Sequence, residues 1–314
     1  MALQALIIEP VHPVLLETLS ELGYTYKLVK SMTTEEAIAE ISAYQGIITS
    51  NKLYINKAII DAGTQLKWIG RMGSGMEIID VPYAQSKGIV CINSPEGNAN
   101  AVAEQALGMY LSLQHRIVKS HVQLQNNIFQ RDENRGFEIE NTVAGIIGFG
   151  NNGRLFAQKL AALGVHVYAY DNALQGYDAP NITACDSLDQ IYKHATMLSF
   201  HVPLNDTTFH YFDTTFLNAM QQPFTLLNLS RGSILDLDIV LNGMQSGKIL
   251  AAGIDVWPEE PITSENAKHY ATFQALMKFP LFIGTAHIGG YTHEATYKMS
   301  YYVAMKIKSM YDNL

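Results

Sequence analysis

The sequence predicts an α/β protein made of two doubly wound parallel sheets. Short apolar runs alternate with helical patterns over about the first 95 residues, and again from residue 143 to 285. Strands that alternate with helices in this way form parallel sheets. A turn-rich break at 94–98 and a long helical run from Ala101 to about Gln125 separate the two series, so each series is expected to form its own sheet.

Hydrophobic periodicity and turn residues predict the individual elements. In the first series, strands are expected at 3–9, 24–29, 46–50, 66–70 and 89–93, and helices at 13–22, 33–44, 56–62 and 81–87. In the second series, strands are expected at 143–147, 165–170, 197–200, 224–229, 249–256 and 281–285, and helices at 154–163, from about 187, and at 235–246. Residues 126–140 are expected to form a loop and residues 292–311 a final helix.

Three glycines at the start of the second series indicate a dinucleotide site. Gly148, Gly150 and Gly153 fit the pattern G-x-G-x-x-G, which here follows a strand and opens a helix. Such glycines permit a tight turn, close approach of a pyrophosphate to the backbone, and close packing of helix on strand. The alternative is a glycine-rich turn in an ordinary βαβ unit, and the complete set of surrounding features disfavours it.

Asp171 favours NAD over NADP. It stands about 20 residues beyond the glycines, at the end of the next strand, where an acid accepts hydrogen bonds from the ribose 2′-hydroxyl and repels a 2′-phosphate. The residues that follow it, Asn172, Ala173 and Leu174, include no arginine or lysine. NAD is therefore the expected cofactor.

Composition disfavours several other classes of function. The 314 residues carry a net charge of −8 with scattered signs, which argues against nucleic acid or an anionic membrane as the main partner. The two cysteines lack metal-ligand spacing, so neither a disulfide framework nor a metal site is expected, and a reducing cytoplasm fits. We expect no signal peptide, because no basic segment precedes the first apolar run, and no stretch approaches the roughly 18 apolar residues that span a bilayer.

Charged and titratable side chains follow four strands of the second series. They are His201, Arg231, His287 and the carboxylates Asp255, Glu259 and Glu260. The carboxyl ends of parallel strands share one edge of the sheet, where ligands bind, so these groups are expected to converge near a nicotinamide. Simpler interpretations exist: Arg231 could form a surface ion pair, Glu259 is expected to be a solvated turn residue, and His287 could be an ordinary histidine at a strand end.

The ordered set of motifs resembles the D-isomer-specific 2-hydroxyacid dehydrogenase family, most of all its short phosphoglycerate dehydrogenase-like members. The resemblance covers about residues 45–305 and rests on RMGSG at 71–75, NANAVAE at 98–104, GIIGFGNNG at 145–153, HVPL at 201–204, SRG at 230–232, SGKI at 246–249, GIDVWPEEP at 253–261 and HIGGYT at 287–292. It implies a Rossmann NAD-binding domain, residues 99–287, inserted into a flavodoxin-like substrate-binding domain of residues 1–98 and 288–314. It also implies a homodimer formed through the NAD-binding domain.

The resemblance implies a catalytic set of Arg231, Glu260 and His287. Arg231 would hold the substrate carboxylate or polarise the carbonyl. His287 would donate a proton to the keto oxygen in reduction and take it back in oxidation, while Glu260 would orient His287 and favour its protonated form. The hydride would come from the cofactor.

The resemblance also implies two sets of binding residues. The cofactor set comprises Gly148, Gly150, Asn151, Asn152, Gly153, Asp171, His201, Val202, Pro203, Thr208, Leu229, Ser230, Arg231, Asp255, His287 and Gly289. The substrate set comprises Ser74, Gly75 and Met76 through their backbone N–H groups, together with Asn98, Arg231 and His287. Three positions depart from the family pattern: Asn152 replaces an isoleucine or methionine, Met76-Glu77 replaces a small acidic or amide pair, and Phe129 replaces a tryptophan near the expected dimer arm.

Several functions remain open within and beside this family. D-3-phosphoglycerate is the favoured substrate, because the runs at 255–261 and 287–292 look most like the phosphoglycerate dehydrogenase branch, and hydroxypyruvate or glyoxylate and lactate-type acids are the alternatives. A phosphate would need cations such as Lys52, Arg71 or Arg135, which could equally be plain surface charges. An NAD(H)-sensing corepressor of this family would retain the same Arg, Glu and His, but it would carry a long C-terminal tail. That tail is expected to be absent, because the sequence stops at Leu314. For the same reason, the regulatory extension of long phosphoglycerate dehydrogenases is expected to be absent. The formate dehydrogenase branch carries glutamine where Glu260 stands.

Overall fold

The computed structural model describes residues 3–173, 176–265 and 268–312, and the chain divides into two compact units. The first unit consists of Met1–Ala99 and Tyr291–Leu314, and the second of Asn100–Gly290. The sequence predicted boundaries after residues 98 and 287. They lie one residue and three residues before the observed boundaries, which follow Ala99 and Gly290. Leu174, one of the residues on which the cofactor preference was based, lies outside the described residues.

The described part of the first unit contains one parallel sheet flanked by helices. Its elements are β1 (Leu3–Ile8), α1 (Pro13–Glu21), β2 (Tyr24–Val29), α2 (Thr34–Glu40), β3 (Gly46–Thr49), α3 (Lys57–Ala62), β4 (Trp68–Arg71), α4 (Val81–Ser86), β5 (Val90–Ile92), the first turn of α5 (Pro95–Gln114), and α12 (His293–Asp312). The strand order β2-β1-β3-β4-β5 is that of a flavodoxin-like sheet. All neighbouring pairs in this sheet are parallel, as the alternation of strands and helices predicts.

Local signals in the sequence fix the ends of several helices in this unit. Thr33 caps α2 through a capping box, in which its hydroxyl accepts from the N–H of Glu36 at 3.2 Å and the Glu36 carboxylate accepts from the N–H of Thr33 at 2.8 Å. Pro13 occupies the first turn of α1, and Gly23 follows that helix with φ +80°, a conformation that glycine adopts without strain.

The second unit contains a larger sheet, most of it parallel. Its elements are the rest of α5, α6 (Ile117–Gln125), β6 (Val143–Ile147), α7 (Asn151–Ala162), β7 (His166–Tyr170), β8 (Asp178–Ala179), β9 (Ile182–Cys185), α8 (Asp189–His194), β10 (Met197–Phe200), α9 (Thr214–Ala219), β11 (Phe224–Asn228), α10 (Leu237–Gln245), β12 (Ile249–Ile254), α11 (Tyr270–Leu276) and β13 (Phe282–Gly284). From one edge to the other, the parallel strands follow the order β9-β7-β6-β10-β11-β12-β13. This is the Rossmann order 3-2-1-4-5-6 with β13 as a seventh strand. The strand β8 pairs with β9 and adds an antiparallel edge.

The order of the strands determines where ligands can bind in the second unit. β6 lies between β7 and β10, so successive strands wind outward in both directions from this point. Such a reversal opens a crevice at the carboxyl ends of the strands. Two buried apolar clusters pack on the sheet, one containing Phe200 of β10 and the other containing Phe156 of α7.

Two predictions near the boundary between the units were wrong. Residues 94–98 are not a turn-rich break, because α5 already begins at Pro95, with Ser94 before it and Glu96 in the first turn. Gly97 is needed for packing: a Cβ there would lie 2.6 Å from the backbone nitrogen of Met299 in α12. The expected single helix to Gln125 is also two helices, separated at Arg116, whose φ of +54° is left-handed.

Several short elements escaped prediction. The strand β9 and the helices α9 and α11 have six or seven residues at most, and their sequences lack a strong period. Residues 126–140 form a loop as expected, apart from one 3₁₀ turn at Asp132–Asn134. Among the described residues, no helix is both long and apolar enough to cross a bilayer.

Candidate active site

The three glycines after β6 have different surroundings, which agree with binding of a pyrophosphate. Gly148 has φ +91°, and a Cβ on it would lie 2.6 Å from the carbonyl oxygen of His201. A Cβ on Gly153 would lie 2.0 Å from the carbonyl oxygen of Gly148. A Cβ on Gly150, by contrast, would meet no atom within 4 Å among the described residues. Gly148 and Gly153 are therefore required for the packing of the protein itself. Gly150 leaves space in front of the first turn of α7, where free N–H groups attract an anion.

Asp171 is tied to the same loop. Its Oδ2 accepts a hydrogen bond from the N–H of Phe149 at 2.7 Å, and its Oδ1 accepts from the N–H of Ala173 at 2.8 Å. The N–H of Gly148 donates to the carbonyl of Tyr170, so the end of β7 and the glycine loop are bonded by both backbone and side chain. A carboxylate held in this place is positioned as the ribose-binding acid of a dinucleotide site should be.

His201 is a neutral histidine packed under the glycine loop. Its Nε2 lies 2.9 Å from the hydroxyl of Ser199, while its Nδ1 is buried without a hydrogen-bond partner among the described residues. Burial lowers the pKa of His201 to about 4, so the ring carries no charge at neutral pH. The next residues form a closed turn, in which the Thr208 hydroxyl donates to the carbonyl of Pro203 at 2.6 Å, and Val202 borders Gly148.

The side chains of His287 and Glu260 meet at the carboxyl ends of β12 and β13. Nδ1 of His287 lies 2.6 Å from Oε2 of Glu260, and the N–H of Trp257 donates to Oε1 of Glu260 at 2.9 Å. The hydrogen bond that His287 donates to the Glu260 carboxylate raises the pKa of His287 above its usual value, and it outweighs burial, which lowers that pKa. Burial alone would raise the pKa of Glu260, but the hydrogen bonds from His287 and Trp257 prevail and lower it.

His287 also has an unusual backbone. Its φ is +54°, in the left-handed region that costs a non-glycine residue about 1–2 kcal/mol. The surrounding structure must therefore hold it there, and its N–H donates to the carbonyl of Asp255 at 2.8 Å. A strained residue that is firmly held beside a carboxylate is typical of an active site.

Arg231 approaches the same pair from the neighbouring strand. It follows β11, and its Nη1 donates to the carbonyl of Ser230 at 2.7 Å. The next residue, Gly232, permits close contact between loops, since a Cβ on it would lie 2.0 Å from the carbonyl carbon of Trp257. The positive charge of Arg231 lies close enough to lower the pKa values of both Glu260 and His287, in addition to the larger effects described above. The structure thus brings together the three residues expected to be catalytic.

The other predicted residues at this edge are organised by internal hydrogen bonds. Ser230 is buried and its hydroxyl donates to Oδ1 of Asn228 at 2.7 Å. Leu229 is buried and borders Gly289, where a Cβ would also lie 2.9 Å from Oδ2 of Asp255. The carboxyl group of Asp255 is buried, and it accepts from the N–H groups of residues 288 and 289.

Glu259 does not join the cluster. Its carboxylate lies 3.2 Å from Nδ1 of His269, a histidine to which the sequence assigned no role. It is therefore paired in the structure, whereas the sequence predicted a solvated turn residue. The sequence also gave no role to Gln105 and Thr285, which bond to Asp255. Gln105 could have been found, because it lies at helical spacing from the buried Val102 and Met109 on α5.

The residues expected to bind substrate through the other domain belong to the first unit. The carbonyl of Ser74 accepts from Nδ2 of Asn93 at 2.8 Å, and Gly75 and Met76 follow it in the loop after β4. Asn98 lies in the first turn of α5, and its Oδ1 is buried without a partner among the described residues. That carbonyl oxygen remains able to accept a hydrogen bond.

The three cations considered for a phosphate all have partners in the protein. Lys52 lies 3.9 Å from Glu9, and Arg135 lies 3.4 Å from Asp132. Arg71 donates to the carbonyl of Met72. Arg135 is largely exposed and belongs to the second unit.

The sheets, the glycine loop and the histidine–carboxylate pair define an NAD-dependent α/β dehydrogenase. A family model described as D-isomer specific 2-hydroxyacid dehydrogenase, NAD binding domain, matches residues 107–289, more than half of the chain. The chain therefore belongs to the D-isomer-specific 2-hydroxyacid dehydrogenase family. The predicted family, fold class and NAD cofactor are confirmed, and members of the family are NAD-dependent oxidoreductases that act on the CH–OH group of 2-hydroxy acids.

Individual relatives narrow the comparison. The chain is 32% identical over 273 residues to hydroxypyruvate reductase of Thermotoga maritima, and the match covers 87% of each protein. It is 31% identical over 285 residues to D-3-phosphoglycerate dehydrogenase of Synechocystis, covering 90% of this chain but only 50% of that protein, so the chain spans half of that relative's length. The crystal structure of D-lactate dehydrogenase from Aquifex aeolicus, complexed with NAD and lactic acid, shares the fold at a TM-score of 0.83 and 22% identity, covering 98% of this chain and 96% of that one.

The space beside Gly150 gives a test of the cofactor site. A Cβ at Gly150 would meet none of the described atoms within 4 Å, so Gly150→Ala is expected to leave the melting temperature unchanged. If the pyrophosphate lies there, the methyl group should cost about 1–3 kcal/mol of overpacking, which weakens NADH binding roughly 5- to 150-fold. Fluorescence titration with NADH measures this. An unchanged dissociation constant would show that the dinucleotide binds elsewhere.

Proposed function

We propose that this protein reduces small, unphosphorylated 2-keto acids of the hydroxypyruvate and glyoxylate type with NADH, and that it catalyses the reverse oxidation. The observation that carries the proposal is the hydrogen bond of 2.6 Å between His287 and Glu260, beside the charge of Arg231. The choice of substrate is supported by the relative in Thermotoga maritima, a hydroxypyruvate reductase matched over 87% of both proteins. The partners already held by Lys52 and Arg135 also disfavour a phosphate.

The second candidate substrate is D-3-phosphoglycerate. It is supported by relatives named D-3-phosphoglycerate dehydrogenase, one of them 31% identical to this chain. The side chain of Lys52 is 53% exposed and lies 3.9 Å from Glu9, so a phosphate could compete for its ammonium group. Serine biosynthesis would be the corresponding role.

In the proposed site, the chain's own residues hold NAD. The glycine loop and the first turn of α7, with Asn151 and Asn152, bind the pyrophosphate, and Asp171 accepts from the ribose. The loop of His201, Val202, Pro203 and Thr208 lines the cofactor, and Leu229, Ser230, Asp255 and Gly289 border the nicotinamide end. Bound NAD supplies the hydride acceptor, or as NADH the donor, that the protein itself lacks.

His287 serves as the proton donor in reduction. Its Nδ1 is engaged by Glu260, so Nε2 is the nitrogen that gives a proton to the keto oxygen and recovers it in oxidation. Glu260 positions the ring and, by raising the pKa of His287, favours its protonated form. Arg231 offers a permanent charge with a planar set of donors, which suits the substrate's carboxylate or its polarised carbonyl oxygen.

The first unit would bind the carboxylate end of the substrate. Ser74, Gly75 and Met76 form a loop after β4 whose backbone N–H groups suit an anion. Asn98, in the first turn of α5, has a buried Oδ1 without a partner among the described residues, and this oxygen can accept a hydrogen bond from a hydroxyl group of the substrate. The departure of Met76-Glu77 from the family pattern makes this loop a candidate determinant of substrate size.

Steady-state assays test the proposed function directly. With NADH, we expect turnover of hydroxypyruvate and glyoxylate in preference to pyruvate and 2-oxoglutarate, and little oxidation of 3-phosphoglycerate with NAD. Replacing the proton donor by His287→Asn should lower kcat by about 10²–10⁴, with NADH affinity retained. Preferred oxidation of 3-phosphoglycerate would favour the second candidate, and NADH binding without turnover of any acid would indicate an NAD(H)-sensing protein instead.

The pH dependence of reduction should depend on Glu260. Reduction needs protonated His287, so activity is present below the raised pKa of His287 and is lost as the pH rises through it. Glu260→Gln removes the carboxylate that raises this pKa, so the alkaline limb of kcat/KM for reduction should move to lower pH. A limb that stays in place would exclude His287 as the titrating acid.

We also propose that the protein is a cytoplasmic homodimer, paired through the NAD-binding unit. The helix α6 supports this, because none of its described residues is buried although Ile117, Val118, Val122 and Leu124 are apolar. The nearby Phe129 is 83% exposed, which is unusual for a large apolar side chain in a monomer.

Light scattering should give twice the subunit mass of 34.8 kDa. Val122→Asp places a charge on the apolar face of α6 and is expected to yield monomers. Leu28→Asp is the matched control, since Leu28 on β2 is equally exposed at 48% but belongs to the first unit. A monomeric wild-type protein, or dissociation by both variants alike, would contradict pairing through α6.

A further inference from the structure

A buried polar cluster lies beneath the loop that follows β13. The carboxyl group of Asp255 is 1% exposed, and its Oδ1 accepts hydrogen bonds from two side chains, the amide Nε2 of Gln105 at 2.9 Å and the hydroxyl of Thr285. The backbone N–H groups of Ile288 and Gly289 donate to Oδ1 and Oδ2 at 2.9 and 2.8 Å. Both oxygens of the carboxyl group are therefore engaged by groups of the protein.

The cluster fixes the backbone of His287. The N–H of His287 itself donates to the carbonyl oxygen of Asp255 at 2.8 Å, so three consecutive N–H groups, at 287, 288 and 289, all donate to one residue. This arrangement supports the left-handed φ of +54° at His287. The backbone of His287 is therefore held on one side by the carbonyl of Asp255 and on the other by the two N–H groups that the Asp255 carboxyl group binds.

Gln105 orients that carboxyl group from a distant part of the chain. It lies on α5, 150 residues from Asp255 and 180 residues from Thr285. Its amide nitrogen also reaches the Thr285 hydroxyl at 3.1 Å. An amide nitrogen can only donate, so the Thr285 hydroxyl accepts from Gln105, and it donates its own proton to Oδ1 of Asp255.

We infer that Gln105 is a positioning residue for proton transfer by His287, acting through Asp255 and Thr285. The inference rests on the proposed function, because it concerns the histidine of the same site. Without the amide, the carboxyl group of Asp255 loses one of its two side-chain donors and can rotate away from the N–H groups of the loop. His287 then moves relative to Glu260, and the hydrogen bond that keeps its imidazole protonated is weakened.

A role in packing alone would have a different outcome. Gln105 is half-buried on α5 between apolar neighbours, so removing its amide could simply reduce stability. In that case the melting temperature would fall, but the titration of His287 and the division between kcat and KM would not change. The proton affinity of His287 therefore separates positioning from packing.

The test compares Gln105→Leu with Gln114→Leu. Gln114 is also a half-buried glutamine on α5, and its amide donates to the hydroxyl of Thr225 at 2.8 Å. Thr225 lies in β11 and not in the His287 loop, so this variant removes a matched hydrogen bond elsewhere in the unit. In Gln105→Leu we expect kcat for hydroxypyruvate reduction to fall roughly 10- to 100-fold, as for a misplaced catalytic group, with the KM for NADH unchanged. The alkaline limb of its pH profile should move to lower pH, and Gln114→Leu should match the wild type in both respects.

Two further variants keep the result clear if Gln105→Leu folds poorly. Thr285→Val removes the hydroxyl from the cluster and is expected to shift the pH profile in the same direction, whereas Thr285→Ser retains the hydroxyl and should remain closer to the wild type. If the pH profiles of Gln105→Leu and Thr285→Val coincide with that of the wild type, the inference is overturned even where their stability is reduced.

A measurement without turnover separates this inference from the proposed function. The imidazole C–H resonances of His287 can be titrated by NMR in the free protein, assigned by comparison with His287→Asn. A lower pKa of His287 in Gln105→Leu supports the positioning role, even if the wild type proves inactive with every 2-keto acid. An active wild type with the same His287 pKa in both proteins refutes the role and leaves the proposed function intact.

Discussion

The hydrogen bond between Nδ1 of His287 and Oε2 of Glu260 is the contact on which the rest of the candidate site depends. It joins residues 27 positions apart that follow two neighbouring strands, β12 and β13, so it can form only when the sheet has formed. It determines which ring nitrogen remains for proton transfer and raises the pKa of the imidazole. The loops around this hydrogen bond hold both residues. The N–H of Trp257 donates to the Glu260 carboxylate, and the N–H of His287 donates to the carbonyl of Asp255.

The regular fold follows from local signals in the sequence to a large extent. The strands β2, β6 and β10 have the predicted bounds because their apolar runs are short and end at turn residues. Prediction was wrong at 94–98, where the serine, proline, glycine and asparagine suggested a turn. Gly97 is there because α12 packs against the helix, a tertiary requirement that no local pattern expresses. The break at Arg116 is equally invisible, since a left-handed arginine leaves no trace in the sequence.

The three carboxylates after β12 illustrate the limit of sequence reasoning at the site. Spacing places Asp255, Glu259 and Glu260 at one edge, but the partners that distinguish them come from elsewhere in the chain. Glu260 meets His287, while the adjacent Glu259 turns to His269 on the way to α11. Asp255 is buried and bonded to the backbone of the histidine loop. The motif resemblance identified Glu260, but only tertiary structure explains why its neighbour could not replace it.

These contacts separate residues that support the loops from residues that can bind a ligand or react. Asp255, Ser230 and Gly148 have their hydrogen-bonding groups or their space taken up by the protein, so they hold the loops in place. A Cβ on Gly150, by contrast, would meet no described atom within 4 Å, and the bond of His287 to Glu260 uses only Nδ1 of the ring. Because a buried polar group without a partner is costly, a rigid support must be internally complete, while a reacting group must keep one capacity unused. The sequence can indicate that a residue belongs to the site, but only the hydrogen bonds show whether it supports the loops or is able to react.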